Sequence, residues 1–222
     1  MSNPRRFVYA LLATLVLSAA PHYLALNPNG DQWQGHYDLV VFDFGPRTEQ
    51  VLEGPPKTYQ SGLQSGFGYD VYQNKLGLVR YVLDYRRGPR KDVLGDFASK
   101  LVDPNNNSVI LFLSPSAVYR GRLNRFPATT TPLEKRKVLG FDCKGVETRY
   151  QDNNGFKHLR QAWASTQTTF LGPLLEMDYT YDPDSSLREI TLGAVTQLQA
   201  VPSVDPSLFE IPRGVTVTDE SK

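Results

Sequence analysis

At 222 residues the chain is long enough for one large or two small domains, and no stretch in its middle reads as a linker. Its 24 Lys+Arg against 23 Asp+Glu leave a net charge of +1, without the clustered basic surface that nucleic-acid binding needs. One cysteine excludes an internal disulfide, and with three histidines it leaves little for a metal cluster, so no metal and no cofactor are expected.

The N-terminus stands apart. Arg5 and Arg6 precede "FVYALLATLVLSAA", fourteen residues without a charge. A basic segment before an apolar run of this length is the pattern of a secretory signal. "SAA" has the small-x-small form of a cleavage site, but Pro21 follows it and hinders cleavage. Extended through "PHYLAL", the run reaches about twenty residues, the length of a membrane anchor. Residues 1–26 are thus expected to be a signal peptide or an N-terminal anchor helix. Export to the periplasm or beyond follows, with or without tethering to the cytoplasmic membrane through residues 7–26.

Residues 27–214 are expected to form a single domain. "HYDLVVFDF" (36–44) and "SVILFLS" (108–114) are apolar on both parities, as in strands covered on both faces. "GFGYDV" (66–71) has two glycines placed as in a dinucleotide loop, but lacks the third and opens no helix, and is read as a hairpin turn. In "LGLVRYVLDYRR" (76–87), Val79, Tyr81, Leu83 and Tyr85 alternate with Arg80, Asp84 and Arg86, the pattern of a half-buried strand. "YRRGPRK" (85–91) and "EKRKV" (134–138) are short basic stretches expected at solvated turns. "KDVLGDFASKLVD" (91–103) is the best helix candidate, weakened by Gly95, and reads equally as two short strands.

"VLGFDCKGVETRY" (138–150) holds the lone Cys143. A lipoprotein needs its cysteine directly after the apolar run, and a nucleophilic cysteine needs a nearby base. Neither His36 nor His158 lies in a sequence context that supplies one. Phe141 and Cys143 share one parity; after Gly145 the apolar set passes to Val146, Thr148 and Tyr150. A β-bulge at Gly145 is predicted, with Cys143 as a small inward side chain.

In "LLEMDYTYD" (174–182), Leu175, Met177, Tyr179 and Tyr181 oppose Leu174, Glu176, Asp178, Thr180 and Asp182, as in a strand with one side against a core and one side in water. "YDPDSS" (181–186) is read as a hairpin connection in preference to a calcium site. In "LREITLGAVTQLQA" (187–200), Ile190, Leu192, Ala194, Leu198 and Ala200 share a face. Asp205 and Pro206 suit the N-cap and first position of a short helix. Leu208, Phe209 and Ile211 would then plug an open end of the sheet, giving an expected cost of about 3–5 kcal/mol for Phe209→Ala. Residues 215–222 are expected to be a disordered tail.

No nucleophile elbow, P-loop or zinc-protease motif is present in the sequence. Twelve Tyr, eleven Phe and two Trp fill a β core or line a pocket for an apolar guest. On the pocket reading, the lining residues are Val79, Tyr81, Leu83, Phe141, Cys143, Leu175, Met177, Tyr179, Ile190 and Leu192.

The segment 138–150, the Trp-containing "QAWASTQ" (161–167) and "LREITLGAVTQLQAVPSVDPSLFEIPRGV" together resemble exported bacterial proteins similar in fold to the outer-membrane lipoprotein carrier, LolA. The resemblance spans about residues 136–214. It implies a mainly β fold: a strongly curved antiparallel sheet, an incomplete barrel with short helices plugging its concave side. It also implies a lipid or acyl chain as guest, and carries no catalytic residues. Three functions follow in descending order: a carrier of an apolar ligand, a structural or protein-interaction module of the envelope, and a hydrolase.

Overall fold

The structure, a computed structural model, describes residues 31–44, 63–88, 98–123 and 126–219. Twelve strands follow one another: β1 (Gln32–Asp43), β2 (Leu63–Gln73), β3 (Val79–Arg87), β4 (Ser99–Asp103), β5 (Ser108–Ser114), β6 (Ala117–Arg122), β7 (Ala128–Val138), β8 (Phe141–Gln151), β9 (Lys157–Ser165), β10 (Leu175–Tyr181), β11 (Leu187–Val201) and β12 (Thr216–Asp219). A single 3-10 turn, Pro206–Phe209, lies between the last two.

All twelve strands join one sheet in the order β12-β6-β5-β4-β3-β2-β1-β11-β10-β9-β8-β7. Two antiparallel meanders, β1 to β6 and β7 to β11, are stitched together where β1 pairs with β11. β12 adds to β6 as the one parallel pair. The expected strongly curved, incomplete barrel is therefore corrected. Among the described residues the sheet is open, with β7 and β12 as its edge strands, and the one described helical turn buries no residue, so it plugs nothing. The expected N-terminal signal or anchor helix lies outside the described residues, and no helix among those described is long and apolar enough to cross a membrane.

Alternation builds the core. Trp33, Tyr37, Leu39 and Val41 of β1 meet Phe67, Tyr69 and Val71 of β2 and Val79 and Tyr81 of β3, all buried. Two glycines read as a turn, Gly66 and Gly68, lie inside β2 instead. The ring of Tyr85 covers Gly68 so closely that a Cβ there would sit 2.1 Å from it, and the Tyr85 hydroxyl donates to Asp38 Oδ1 at 2.7 Å. An aromatic over a strand glycine restores the packing that the missing side chain forfeits.

Other expectations move by a residue or a face. Of the helix candidate over 91–103, residues 99–103 form β4, and 91–97 lie outside the described residues. The basic stretch 134–138 forms the end of edge strand β7, directly before the turn at 139–140. The sheet is irregular opposite Gly145, but the extra residue belongs to β7, between Leu133 and Arg136, and β8 keeps its parity. A second irregularity, between His36 and Tyr37 against β11, carries Leu198 and Ala200 to the face opposite Leu192 and Ala194. The tail expected to be disordered from 215 contributes β12 at 216–219. Asp205 caps the 3-10 turn as expected, its carboxylate accepting from the Ser207 N–H at 2.9 Å with Pro206 at the start. Residues 182–186 form the hairpin connection between β10 and β11.

Candidate functional site

The residues expected to line one pocket divide between the two faces of the sheet. Val79, Tyr81 and Leu83 share the face of Tyr37, through their pairing with Gln73, Val71 and Tyr69. Leu175, Met177, Tyr179, Ile190 and Leu192 lie on the other, where Leu192 pairs with Val40 and Ile190 with Phe42. Phe141 and Cys143 lie with them, four and two residues before Gly145, which pairs with Trp163 and so with Leu175. Val79, Cys143, Leu175 and Leu192 are core residues, and Leu83, Phe141, Met177 and Ile190 pack against that core. Leu208, Phe209 and Ile211 are each half-buried. Cys143 is 1% exposed, its Sγ directed to the Phe141 carbonyl at 3.5 Å, and burial pushes its thiol up to about 11. It is an uncharged thiol at neutral pH.

Of that set only Tyr81 reaches the cleft that the face does contain, a space of about 150 Å³. Tyr37, Tyr69 and Tyr81 form one wall, their ring centroids 5.7–6.4 Å apart. The other wall is polar. Glu176 and Asp178 project from β10, and His158 and Arg160 from β9. The sequence pattern assigned Glu176 and Asp178 to a solvated face; Glu176 is instead buried. Its signal was available in the alternation of "HLRQ" on the strand before, which puts a histidine and an arginine beside that carboxylate row, but strand pairing cannot be read from one strand alone.

Glu176 organises the floor of the cleft. It accepts from both Nε and Nη2 of Arg160 and, at 3.4 Å, from the Tyr37 hydroxyl. Burial raises its carboxyl pKa, and the charge and hydrogen bonds of Arg160 offset only part of that rise. Burial first, and then the Glu176 charge, hold the Tyr37 phenol well above its ordinary value; Tyr81 is raised for the same reasons.

His158 stands between two carboxylates, Nε2 3.7 Å from Asp152 and Nδ1 3.9 Å from Asp178. Burial alone would lower its pKa; the two carboxylates outweigh burial and raise it. The imidazole stacks on Tyr150, centroids 4.5 Å apart and planes 4° from parallel, and Tyr150 in turn stacks on Phe126. A second histidine, His36, bridges Asp38 (3.4 Å) and Asp70 (3.3 Å) on the opposite face, beside an open groove lined by Gln34, Gly35 and Gln197. No group of three or more metal-ligating side chains is assembled among the described residues.

The free edge is the other candidate surface. Among the described residues β7 pairs only with β8, and nine of its eleven side chains are exposed. Its first four residues, "ATTT", carry no charge, while Lys135 lies in the bulge and Arg136 and Lys137 follow it. The Arg136 guanidinium lies 4.2 Å from the Trp163 ring centroid, and Lys137 pairs with Asp142 at 3.1 Å.

No family model and no curated protein matches the chain. Among solved structures it is similar to an uncharacterized conserved protein from Thermus thermophilus, at 10% identity over 87% of this chain and 92% of that one, TM-score 0.39. It is also similar to a domain from Vibrio parahaemolyticus named for outer membrane lipoprotein sorting, at 12% identity over 80% and 88%, TM-score 0.29. This is broad structural kinship, and it transfers no ligand, partner or activity to the present chain.

Proposed function

We propose that the protein is a non-enzymatic interaction module of the bacterial envelope, which engages an extended segment of a partner protein along β7. The carrying observation is the eleven-residue edge strand β7, which has a partner strand on one side only among the described residues of a twelve-stranded sheet. An unpaired edge offers a row of main-chain donors and acceptors to which a peptide adds as a further strand. Pro132 and the bulge after Leu133 limit that addition to the uncharged stretch Ala128–Thr131. The basic run 135–137 favours a partner with acidic residues beside its pairing strand. The basic residues and apolar run before residue 26 support an exported, envelope-associated location.

An apolar guest has less to support it. The cleft holds about 150 Å³, against the roughly 300–1,000 Å³ of drug-sized sites, and Glu176, Asp178 and Arg160 line it. Photocrosslinking from Thr130 in intact envelopes tests the proposal. A discrete protein adduct, lost when Lys135 and Lys137 are both replaced by Glu, is expected. Adducts with lipid alone would sink it.

A further inference from the structure

The edge opposite β7 is closed by the chain's own C-terminal segment. After β11 the chain leaves the sheet at Val201, passes through the 3-10 turn at Pro206–Phe209, and returns as β12 against β6, six places from β11 in the strand order. No residue from 202 to 219 is buried. Among the described residues, the hydrogen bonds that 205–215 make stay within the segment. The segment is fastened at its two ends. The Val204 N–H donates to Gln32 Oε1 at 3.0 Å, and the Thr216 N–H donates to the Ser116 carbonyl at 2.8 Å.

β12 is held as a bound peptide is held. Its four residues make the one parallel pair among the described strands, and parallel pairing is the slightly weaker kind. Thr216, Val217 and Thr218 are exposed, so docking withdraws little apolar surface from water. One ion pair fixes its register, Arg120 Nη1 on Asp219 Oδ1 at 3.5 Å, with both partners partly exposed. Gly214 precedes the strand with φ +80°, and no atom lies within 4 Å of where a Cβ would stand. β6, by contrast, belongs to the sheet. Val118 is 1% exposed, Gly121 is buried, and the strand pairs with β5 from Ala117 to Arg122. Departure of β12 leaves β6 in place, with the main-chain donors and acceptors of its outer side bare.

We propose that residues 202–219 are a releasable strap, and that β12 holds closed a strand-addition site on β6 for an extended acidic segment of another protein. The chain's own Thr-Val-Thr-Asp is the pattern of the ligand: β-branched residues, which suit an extended backbone, then a carboxylate at the register of Arg120. Arg122, two residues on and of the same parity, carries the preference for acidic residues past the fourth position. The site does not rest on the reading given to β7.

Fluorescence anisotropy of a labelled nonapeptide, RGVTVTDES, with the full chain tests the proposal. Thr216→Pro combined with Thr218→Pro removes two main-chain donors from the chain's own strand and leaves β6 unaltered. This double variant should bind the peptide saturably and roughly tenfold tighter than the unsubstituted chain, in which the strap occupies the site. Asp219→Lys in the peptide should weaken binding several-fold. No saturable binding to the folded double variant, equal binding to both chains, or indifference to Asp219→Lys overturns the proposal. So does a dimer of the unsubstituted chain in sedimentation that the two prolines dissolve, which would assign the edge to a second copy. Should the double variant fail to fold, hydrogen exchange of the unsubstituted chain decides. Amides of 216–219 should then exchange roughly a hundredfold faster than those of β5, and equal protection overturns the strap.

Discussion

Trp163 donates its indole N–H to the carbonyl oxygen of Glu134 at 3.0 Å, reaching from β9 past β8 to the edge strand β7. The indole crosses β8 at Gly145, where a Cβ would lie 2.4 Å from Nε1 and 2.8 Å from the Leu133 Cβ. The extra residue in β7 falls between Leu133 and Arg136, the segment that holds this carbonyl. Gly145, the bulge and the tryptophan are one arrangement. Gly145→Ala is expected to destabilise the fold by about 1–3 kcal/mol, the usual cost of overpacking. Urea unfolding measures it; an unchanged midpoint would show that the indole is free to move aside.

The Arg160–Glu176 pair gives a second test. Removing one partner of a buried pair leaves an uncompensated charge, at about 3–5 kcal/mol. Arg160→Met should fall near the lower end, about 3 kcal/mol, because the arginine side chain is 37% exposed and its carboxylate partner 11%. Adding Glu176→Gln should recover most of the loss, since it removes the stranded charge. Thermal unfolding of the two variants decides; a double variant no more stable than the single one would mean that the pair is not coupled.

His158 predicts a pH dependence with a definite sign. Its folded pKa is raised by Asp178 and Asp152 over the opposing effect of burial. The stabilisation it contributes is therefore full below the unfolded value of about 6.5 and is lost as pH rises through the higher folded value. The melting-temperature gap between the unsubstituted protein and His158→Gln should be widest on the acid side of that window and close on the alkaline side. A gap that widens with rising pH would reverse the assignment.

Phe209 is half-buried, and its helical turn buries no residue. The loss expected for Phe209→Ala falls accordingly from about 3–5 kcal/mol to about 1 kcal/mol, half of what a fully buried phenylalanine contributes. Chemical denaturation measures the difference.

Cys143 should resist a maleimide at neutral pH in the folded protein and react once the chain is unfolded. Its thiol is 1% exposed and burial holds its pKa at about 11. Rapid labelling under native conditions would mean that the strand end opens.

Strand positions were legible wherever alternation was clean: "SVILFLS" is β5 residue for residue, and 187–200 is β11 but for one residue. Which face each residue joins was not: the bulge near Thr196 changes parity without any glycine to announce it, and the one that Gly145 announces puts its extra residue in the facing strand β7. The half-barrel was a matter of whole-sheet geometry, and no local pattern encodes where a sheet's edges finish. The cleft was missed for a related reason. Glu176, Asp178, His158 and Arg160 each read as ordinary solvent-facing residues from the pattern of their own strands, and become a site only through pairing.

The seam between β1 and β11 joins residues 32–43 to residues 189–201. A chain that emerges N-terminus first therefore carries β1 with one flank unsatisfied until nearly the whole polypeptide has been delivered. Pairings so far apart in sequence are slow to form, and an open flank on Tyr37, Leu39 and Val41 invites adhesion to other chains in the interval. Slow refolding from dilute denaturant is the expected consequence of this strand order.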